Sequence, residues 1–383
     1  MGANTAALIA KEGFRVALVE KNREDARPNR CGCLVTPRVP KMVDAEKTIV
    51  GSVHGAVVHA PSGKGVSIDG RKTKAVVIDR SEFDSILVTR ASDNGAKCLF
   101  GTRARDVRRK GGRLEVSLSL EGRLTDATCS ILIASDGAAG NFARDMFPVK
   151  PRRLLSGCEL TMSGVDGDLG FVKLFLGRTF APGFFGWIIP CGETAKVGVC
   201  VDKGNARESL KTMMSRGHVR EYLKNARQVA YAAGRTPIGF PRRTYAANFM
   251  AVGDAACQVK ATSGGGLFPG LSASRFCAET AVKALEAEDF SSPAMRGYQK
   301  AWMKEIGKEL RRDLAIHESF ARLKDKHLEE VFSLLSKPET IRIIEGMGDI
   351  DFPSKVGWRL AMEEPRLLKY TGKALRTMLR TLA

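Results

Sequence analysis

Ala251-Val-Gly-Asp-Ala-Ala-Cys-Gln-Val-Lys-Ala-Thr-Ser-Gly-Gly-Gly-Leu267 is the stretch that decides how this chain folds. The run Phe249–Val252 is apolar throughout, which predicts a strand buried on both faces. Asp254 follows directly, where a carboxylate can hold a ribityl or ribose hydroxyl. Gly264, Gly265 and Gly266 then open a helix predicted over Leu271–Leu285. Glycines in that position expose backbone N–H groups to a pyrophosphate or to a flavin edge. A mere loop would be an expensive use of glycine, so the segment reads as part of an α/β nucleotide-binding unit.

Working outward, Gly2–Gly13 predicts a helix and Arg15–Glu20 an apolar strand that ends in a carboxylate. In a dinucleotide-binding unit a turn leads from a first strand into such a helix, and an acid closing the second strand bonds the ribose. Met1 and Gly2 fall at that turn, and Glu20 falls at the acid. The unit is expected to lack its first strand in the chain as given, and a generic helix–strand pair is the alternative. Another apolar strand, Ser130–Ala134, runs into Asp136-Gly137; they are candidates for the same cofactor, although Asp-Gly is also a common turn on its own. Between these lie a helix predicted over Arg80–Gly95, stopped by Asn94-Gly95, and strands turning at Gly111-Gly112. The texture is β-rich from Pro151 to Arg243, with one basic helix near 205–228, and helical and basic from 294 onward. The expected organisation is a discontinuous nucleotide-binding α/β domain over 1–150 and 244–290, an inserted β-rich substrate domain over 151–243, and a helical C-terminal region over 291–383.

Composition narrows the class. The 383 residues carry 61 Lys+Arg against 42 Asp+Glu, a net charge of +19, with 44% hydrophobic residues. That apolar share suits a globular chain rather than a disordered one. No stretch approaches the roughly 20 apolar residues that span a bilayer, and no secretory leader is visible. The 9 cysteines are scattered and odd in number, and none of the 5 histidines falls in a metal-ligand spacing. A disulfide framework and a structural metal site are therefore not expected, and a reducing, cytoplasmic setting is. The charge suits an anionic membrane surface or a solvated basic surface. No finger, zipper or aromatic–basic sheet signature of nucleic-acid binding is present.

Taken together, these segments resemble the FAD-dependent oxidoreductases of the aromatic hydroxylase type and, more narrowly, the geranylgeranyl reductase family, including its archaeal digeranylgeranylglycerophospholipid reductases. The narrower resemblance rests on Arg27-Pro28-x-x-Cys31-Gly32, Asp79-Arg80-x-x-Phe83-Asp84, the Gly253–Leu267 segment and Phe185-x-Trp187-x-Ile189-Pro190-x-Gly192, and it spans roughly residues 1–290. It implies FAD as cofactor, with Met1 and Gly2 at the dinucleotide turn and Glu20 on the adenosine ribose. Cys31, Gly32 and Leu34 would lie beside the flavin, and Arg80 and Ala104 match positions contacting FAD. Asp254, Gly266 and Leu267 would hold the ribityl–pyrophosphate region.

The resemblance also makes the aromatic strand at 183–190 a wall of a lipid channel, with Phe185, Trp187, Pro190 and Gly192 as substrate-side candidates; plain sheet core is the alternative. Phe185 and Ile189 replace the usual Tyr and Phe, and Phe185 replaces the first Trp of the W-x-W-x-I-P of flavin halogenases. The implied reaction is saturation of geranylgeranyl chains in lipids or related isoprenoids. It needs a hydride, a proton and an alkene held away from water. Cys31 is the first candidate proton donor, with a small packed side chain as its alternative. No second G-x-G-x-x-G is visible, so an external electron donor is expected. After Pro365, Leu367, Leu368, Ala374, Leu375, Met378, Leu379 and Leu382 can form one apolar face of a basic helix, which suits a membrane surface or packing on the chain's own domain. The expected location is cytoplasmic and peripheral to the membrane. The rival readings are a flavin-dependent monooxygenase or halogenase on the same fold, and a non-catalytic, membrane-associated degenerate flavoprotein.

Overall fold

The computed structural model describes residues 1–24, 32–138, 140, 142, 146 and 153–372. Its nucleotide-binding part is an α/β assembly whose parallel strands come from distant segments. Ala17–Val19 pairs in parallel with Lys97–Leu99, and Leu132–Ala134 pairs in parallel with Phe249–Ala251. The helix Gly2–Lys11 packs beside the helix Leu267–Glu286, and Asn4 donates from Nδ2 to the buried Ser274 Oγ at 2.7 Å. The predicted α/β nucleotide-binding fold is therefore present, and it is discontinuous in sequence.

Local sequence explains the supporting elements. Ala75–Ile78 is buried at all four positions and forms the middle of a three-stranded antiparallel sheet with Leu34–Val35 and Ile49–Val53. Asp79 then caps the helix Arg80–Asp93, accepting from Ser81 N and Glu82 N at 2.8 and 3.0 Å. Phe83, Leu87 and Ala91 on that helix face the core. Gly95 ends it at φ +94°, a conformation that costs glycine little. Gly111 and Gly112 turn a three-stranded antiparallel meander, Thr102–Lys110, Arg113–Leu120 and Arg123–Cys129.

The large sheet has seven strands, in the order Arg227–Ile238, Arg153–Ser163, Thr194–Val201, Gly186–Cys191, Phe171–Phe175, Gly55–His59 and Gly65–Asp69. It reaches beyond 151–243, because the hairpin at 55–69 joins it through a parallel pairing of Gly55–His59 with Phe171–Phe175. The basic helix expected near 205–228 is shorter. Ala206–Met214 and one turn at Gly217–Arg220 are helical, and Arg227 already begins the edge strand. Arg227–Tyr231 is exposed at every position, so that strand carries none of the apolar alternation that announces a half-buried one.

Helices from Ser292 onward cover the remaining face, and buried polar contacts dock them. Tyr298 donates to Ala251 O at 2.8 Å and accepts from Gln258 Nε2 at 2.7 Å, while Trp302 Nε1 donates to Thr244 Oγ1 at 3.1 Å. Lys260 Nζ meets Asp351 Oδ1 at 2.6 Å, and Arg38 grips Asp349 and Asp351 at 2.9 and 3.0 Å. No described helix is long and apolar enough to cross a membrane.

Candidate cofactor and substrate site

The Gly-rich segment folds as a closed loop ahead of a helix. Gly264 N donates to Lys260 O at 2.8 Å and Lys260 N to Gly265 O at 3.1 Å. Leu267–Glu286 begins directly after Gly266, one turn earlier than the sequence suggests, and no side chain caps its first N–H groups. A helix start of this kind carries positive partial charge and donors suited to a phosphate. Close approach explains the glycines: a Cβ on Gly266 would stand 2.8 Å from Asp254 Oδ1, and one on Gly265 2.9 Å from Lys260 Cε. Asp254 lies in the turn Gly253–Ala256, where Gly253 adopts φ +70° and donates its N–H to Gln258 Oε1 at 2.7 Å.

The other cofactor candidates fall at two further strand ends. Met1 packs into the same turn, since a Cβ on Gly253 would lie 2.8 Å from its Cγ and one on Gly270 2.6 Å from its Sδ. Gly2 starts its helix hard against the end of Leu132–Ala134: an added Cβ would stand 2.3 Å from Ser135 Oγ. Asp136 and Gly137 follow, with Gly137 at φ +77° and the Asp136 carboxylate accepting from Phe142 N at 3.4 Å. Glu20 closes Ala17–Val19 and accepts from Asn22 N and Nδ2 at 2.8 and 2.7 Å; Thr102 N donates to its carbonyl, bringing the strand that carries Ala104 alongside. Arg80 pairs with Asp84 at 2.9 Å. Cys31 lies outside the described residues. Uncapped helix starts, glycines that a methyl would block and carboxylates at strand ends form a donor set and cradle that fit a dinucleotide.

A cavity of about 750 Å³ opens from this region onto the large sheet. Gly32, Leu34, Gly264 and Gly265 line one end; Leu174, Phe185 and Trp187 form the sheet wall; Ile316, Trp358 and Leu360 close it from the C-terminal helices. The lining is mostly apolar, and burial pushes the Cys200 thiol on its wall up to about 12 and raises that of Cys158. Both therefore stay thiols near neutral pH. Pro190 is buried in its strand, and Gly192 turns the hairpin between Cys191 and Thr194 at φ +60°. Neither lines the cavity. Leu367 lines it and Leu368 packs against the cluster of Ala315 and Ala361, so this described part of the C-terminal segment turns its apolar side inward.

Sequence reasoning missed three residues here. Cys33 lines the cavity at φ +61°, an uncommon backbone for a non-glycine residue. Lys260 sits inside the quoted stretch, where a lysine among buried residues signals a buried acid elsewhere. Glu159 is 7% exposed on the apolar wall, and nothing in its strand marks it as inward-facing.

Discontinuous parallel strands, the Gly-rich helix start and an apolar chamber beside it are the features of the FAD-dependent oxidoreductases. No family model matches the chain. It is 29% identical to a digeranylgeranylglycerophospholipid reductase of Methanocaldococcus jannaschii, over 94% of this chain and 92% of that protein. An uncharacterized protein of the same organism is 30% identical, over 88% and 86%. Among solved structures, a geranylgeranyl bacteriochlorophyll reductase-like protein from Thermoplasma acidophilum superposes with a TM-score of 0.86 at 23% identity, over 96% of this chain and 95% of that one. A flavin-dependent brominase shares the fold at a TM-score of 0.69 and 16% identity, over 95% and 96%. The chain belongs to the geranylgeranyl reductase family, and it is an FAD-dependent oxidoreductase.

Proposed function

We propose that this enzyme saturates double bonds of geranylgeranyl chains in membrane lipids or related isoprenoids. The observation that carries the reading is the continuity of the cavity: Gly264 and Gly265 of the cofactor loop line the same chamber as Trp187 and Ile316. A flexible polyprenyl chain matches a large, mostly apolar space. The names of the relatives support the same substrate class.

FAD, when bound, supplies the hydride that an unpolarised alkene requires. Gly264, Gly265 and Gly266, with the first N–H groups of the following helix, would hold its phosphates, and Asp254, Glu20, Asp136 and Arg80 would fix the polar remainder. Met1, Gly2, Gly32, Leu34, Ala104, Gly137 and Leu267 shape the surface against it. Cys31 is the first proton-donor candidate. Phe185 and Trp187 hold the alkene and exclude water from it, since an apolar wall offers competing solvent no hydrogen bonds. Electrons come from an external donor. The net charge of +19 suits docking on an anionic membrane, the source of the lipid.

The test is direct. The chain purified without added cofactor should show a flavin spectrum near one equivalent. Reduced chemically under argon and mixed with a geranylgeranyl lipid, it should return product heavier by two hydrogens per saturated bond. Turnover that instead requires oxygen and inserts oxygen or halide would replace this reading with the monooxygenase or halogenase one.

A further inference from the structure

Six strands of the large sheet place one residue each in a single cross-strand row: Ala232, Glu159, Gly198, Trp187, Leu174 and Val58. All except Gly198 line the cavity. Gly198 is the exception because the Trp187 indole lies over it; a Cβ there would stand 2.4 Å from the ring carbon Cζ2. The indole thus crosses an entire strand and donates from Nε1 to Glu159 Oε2 at 3.0 Å. The cofactor side touches the same point, since a Cβ on Gly32 would lie 3.5 Å from Glu159 Oε2, 3.9 Å from Trp187 Nε1 and 3.2 Å from Ile189 Cδ1.

A carboxylate on an apolar wall is costly unless charges and donors answer it. Lys196 does so in part, its Nζ 4.0 Å from Glu159 Oε1 and held by Thr161 Oγ1 at 2.9 Å. Simple packing would be served as well by leucine at position 159. What leucine cannot do is accept the indole N–H.

We propose that Glu159 is a positioning residue: by anchoring Trp187 across Gly198, it fixes the width of the cavity beside Gly32 and so the register at which an isoprenoid chain presents its double bonds. This rests on the proposed function, and it adds the residue that sets which bonds are reached. A free indole could swing into the chamber and stop the chain short. A pinned one keeps the passage at a constant cross-section.

The experiment compares Glu159→Leu, Glu159→Gln and Trp187→Phe with the wild-type holoenzyme. The Trp187 indole N–H signal, identified by its loss in Trp187→Phe, should move in Glu159→Leu and stay near its place in Glu159→Gln, which keeps an oxygen acceptor. The ratio of fully to partly saturated product should fall about tenfold in Glu159→Leu and in Trp187→Phe, as expected for losing one hydrogen bond to a charged group, with Glu159→Gln close to wild type. A moved indole signal with unchanged products overturns the proposal, as does a Glu159→Gln variant whose products match Glu159→Leu. Should Glu159→Leu not fold, Trp187→Phe decides alone, and wild-type products from it overturn the anchor. If the wild type saturates no isoprenoid, the functional reading fails by itself. The anchor is then read from affinity for geranylgeraniol, which falls with Glu159→Leu if the proposal holds and is unchanged if it does not.

Discussion

His317 shows how one side chain writes a pH dependence into the fold. It is 2% exposed, its Nε2 has no partner among the described residues, and its ring faces Phe184 at 5.9 Å. Burial, reinforced by the Arg153 charge, lowers its pKa from 6.5 to about 4. The unfolded chain therefore binds a proton there first as pH falls. The stability due to a neutral buried ring is complete above 6.5 and drains away down to about 4, by about 3 kcal/mol at most. Burial shifts His59 and His218 in the same direction. Thermal melts should show the wild type losing stability more steeply than His317→Leu on acidification across that window, because only the wild type loses this share; parallel curves would contradict the assignment. A second contrast concerns Asp351, which is 2% exposed and meets both Lys260 and Arg38. Lys260→Met leaves the acid with Arg38 and Thr36, whereas Asp351→Ala leaves a buried ammonium whose one remaining hydrogen bond among the described residues is to the Ile350 carbonyl. Breaking a buried pair costs about 3–5 kcal/mol, so urea melts should find Asp351→Ala the less stable of the two, and the reverse order would refute the argument. At this scale the sequence was readable only where chemistry is local. Glycines beside a carboxylate announce themselves. Glu159, His317 and Asp351 owe their environments to partners far away in the chain.

Among elements, the loop and helix at 260–286 tie sequence to function most tightly. A methyl at Gly266 would meet Asp254 Oδ1 at 2.8 Å and displace the carboxylate from the end of its strand. Gly266→Ala should therefore weaken FAD binding about tenfold, measured by quenching of flavin fluorescence, while the fold stays intact by circular dichroism; unchanged affinity would remove Asp254 and Gly266 from the cofactor site. Gly198→Ala is its counterpart on the sheet. The methyl would press on the Trp187 ring, and overpacking of this kind costs about 1–3 kcal/mol, visible as a lowered melting temperature. The elements most legible in the sequence are those whose signals are both local and buried, such as Ala75–Ile78 with its Asp79 cap and the strand leading to Asp254. The basic helix expected near 205–228 overruns only the start of Arg227–Ile238, because an exposed edge strand has no need of the alternation that would mark where it begins. The hairpin at 55–69 joins the large sheet through a pairing with Phe171–Phe175, more than 100 residues downstream, and no local pattern encodes that partner.

For the whole molecule, the decisive feature is how a basic exterior surrounds an apolar chamber. The sequence announced both ingredients but not their arrangement, since the chamber is closed by helices that follow the last recognisable motif. Residues 338–372 carry no cofactor signature, yet Ile344, Trp358 and Leu367 complete the cavity wall. Those apolar side chains turned inward are not available to insert into a bilayer, so under the proposed function charge is the force to test at the membrane. Attraction of a +19 protein to an anionic surface is worth roughly 1 kcal/mol per basic residue near the headgroups and is screened over about 8 Å at physiological salt. Vesicles containing phosphatidylglycerol should accordingly sediment the protein at low salt and release most of it once salt approaches molar strength, whereas purely zwitterionic vesicles should retain little at any salt. If binding instead survives high salt and ignores headgroup charge, an apolar surface contacts the membrane, for which Leu124, Leu169, Val229 and Met362 are already exposed. Equal and negligible binding to both vesicle types would remove the membrane surface as a partner and leave the lipid to reach the cavity by another carrier.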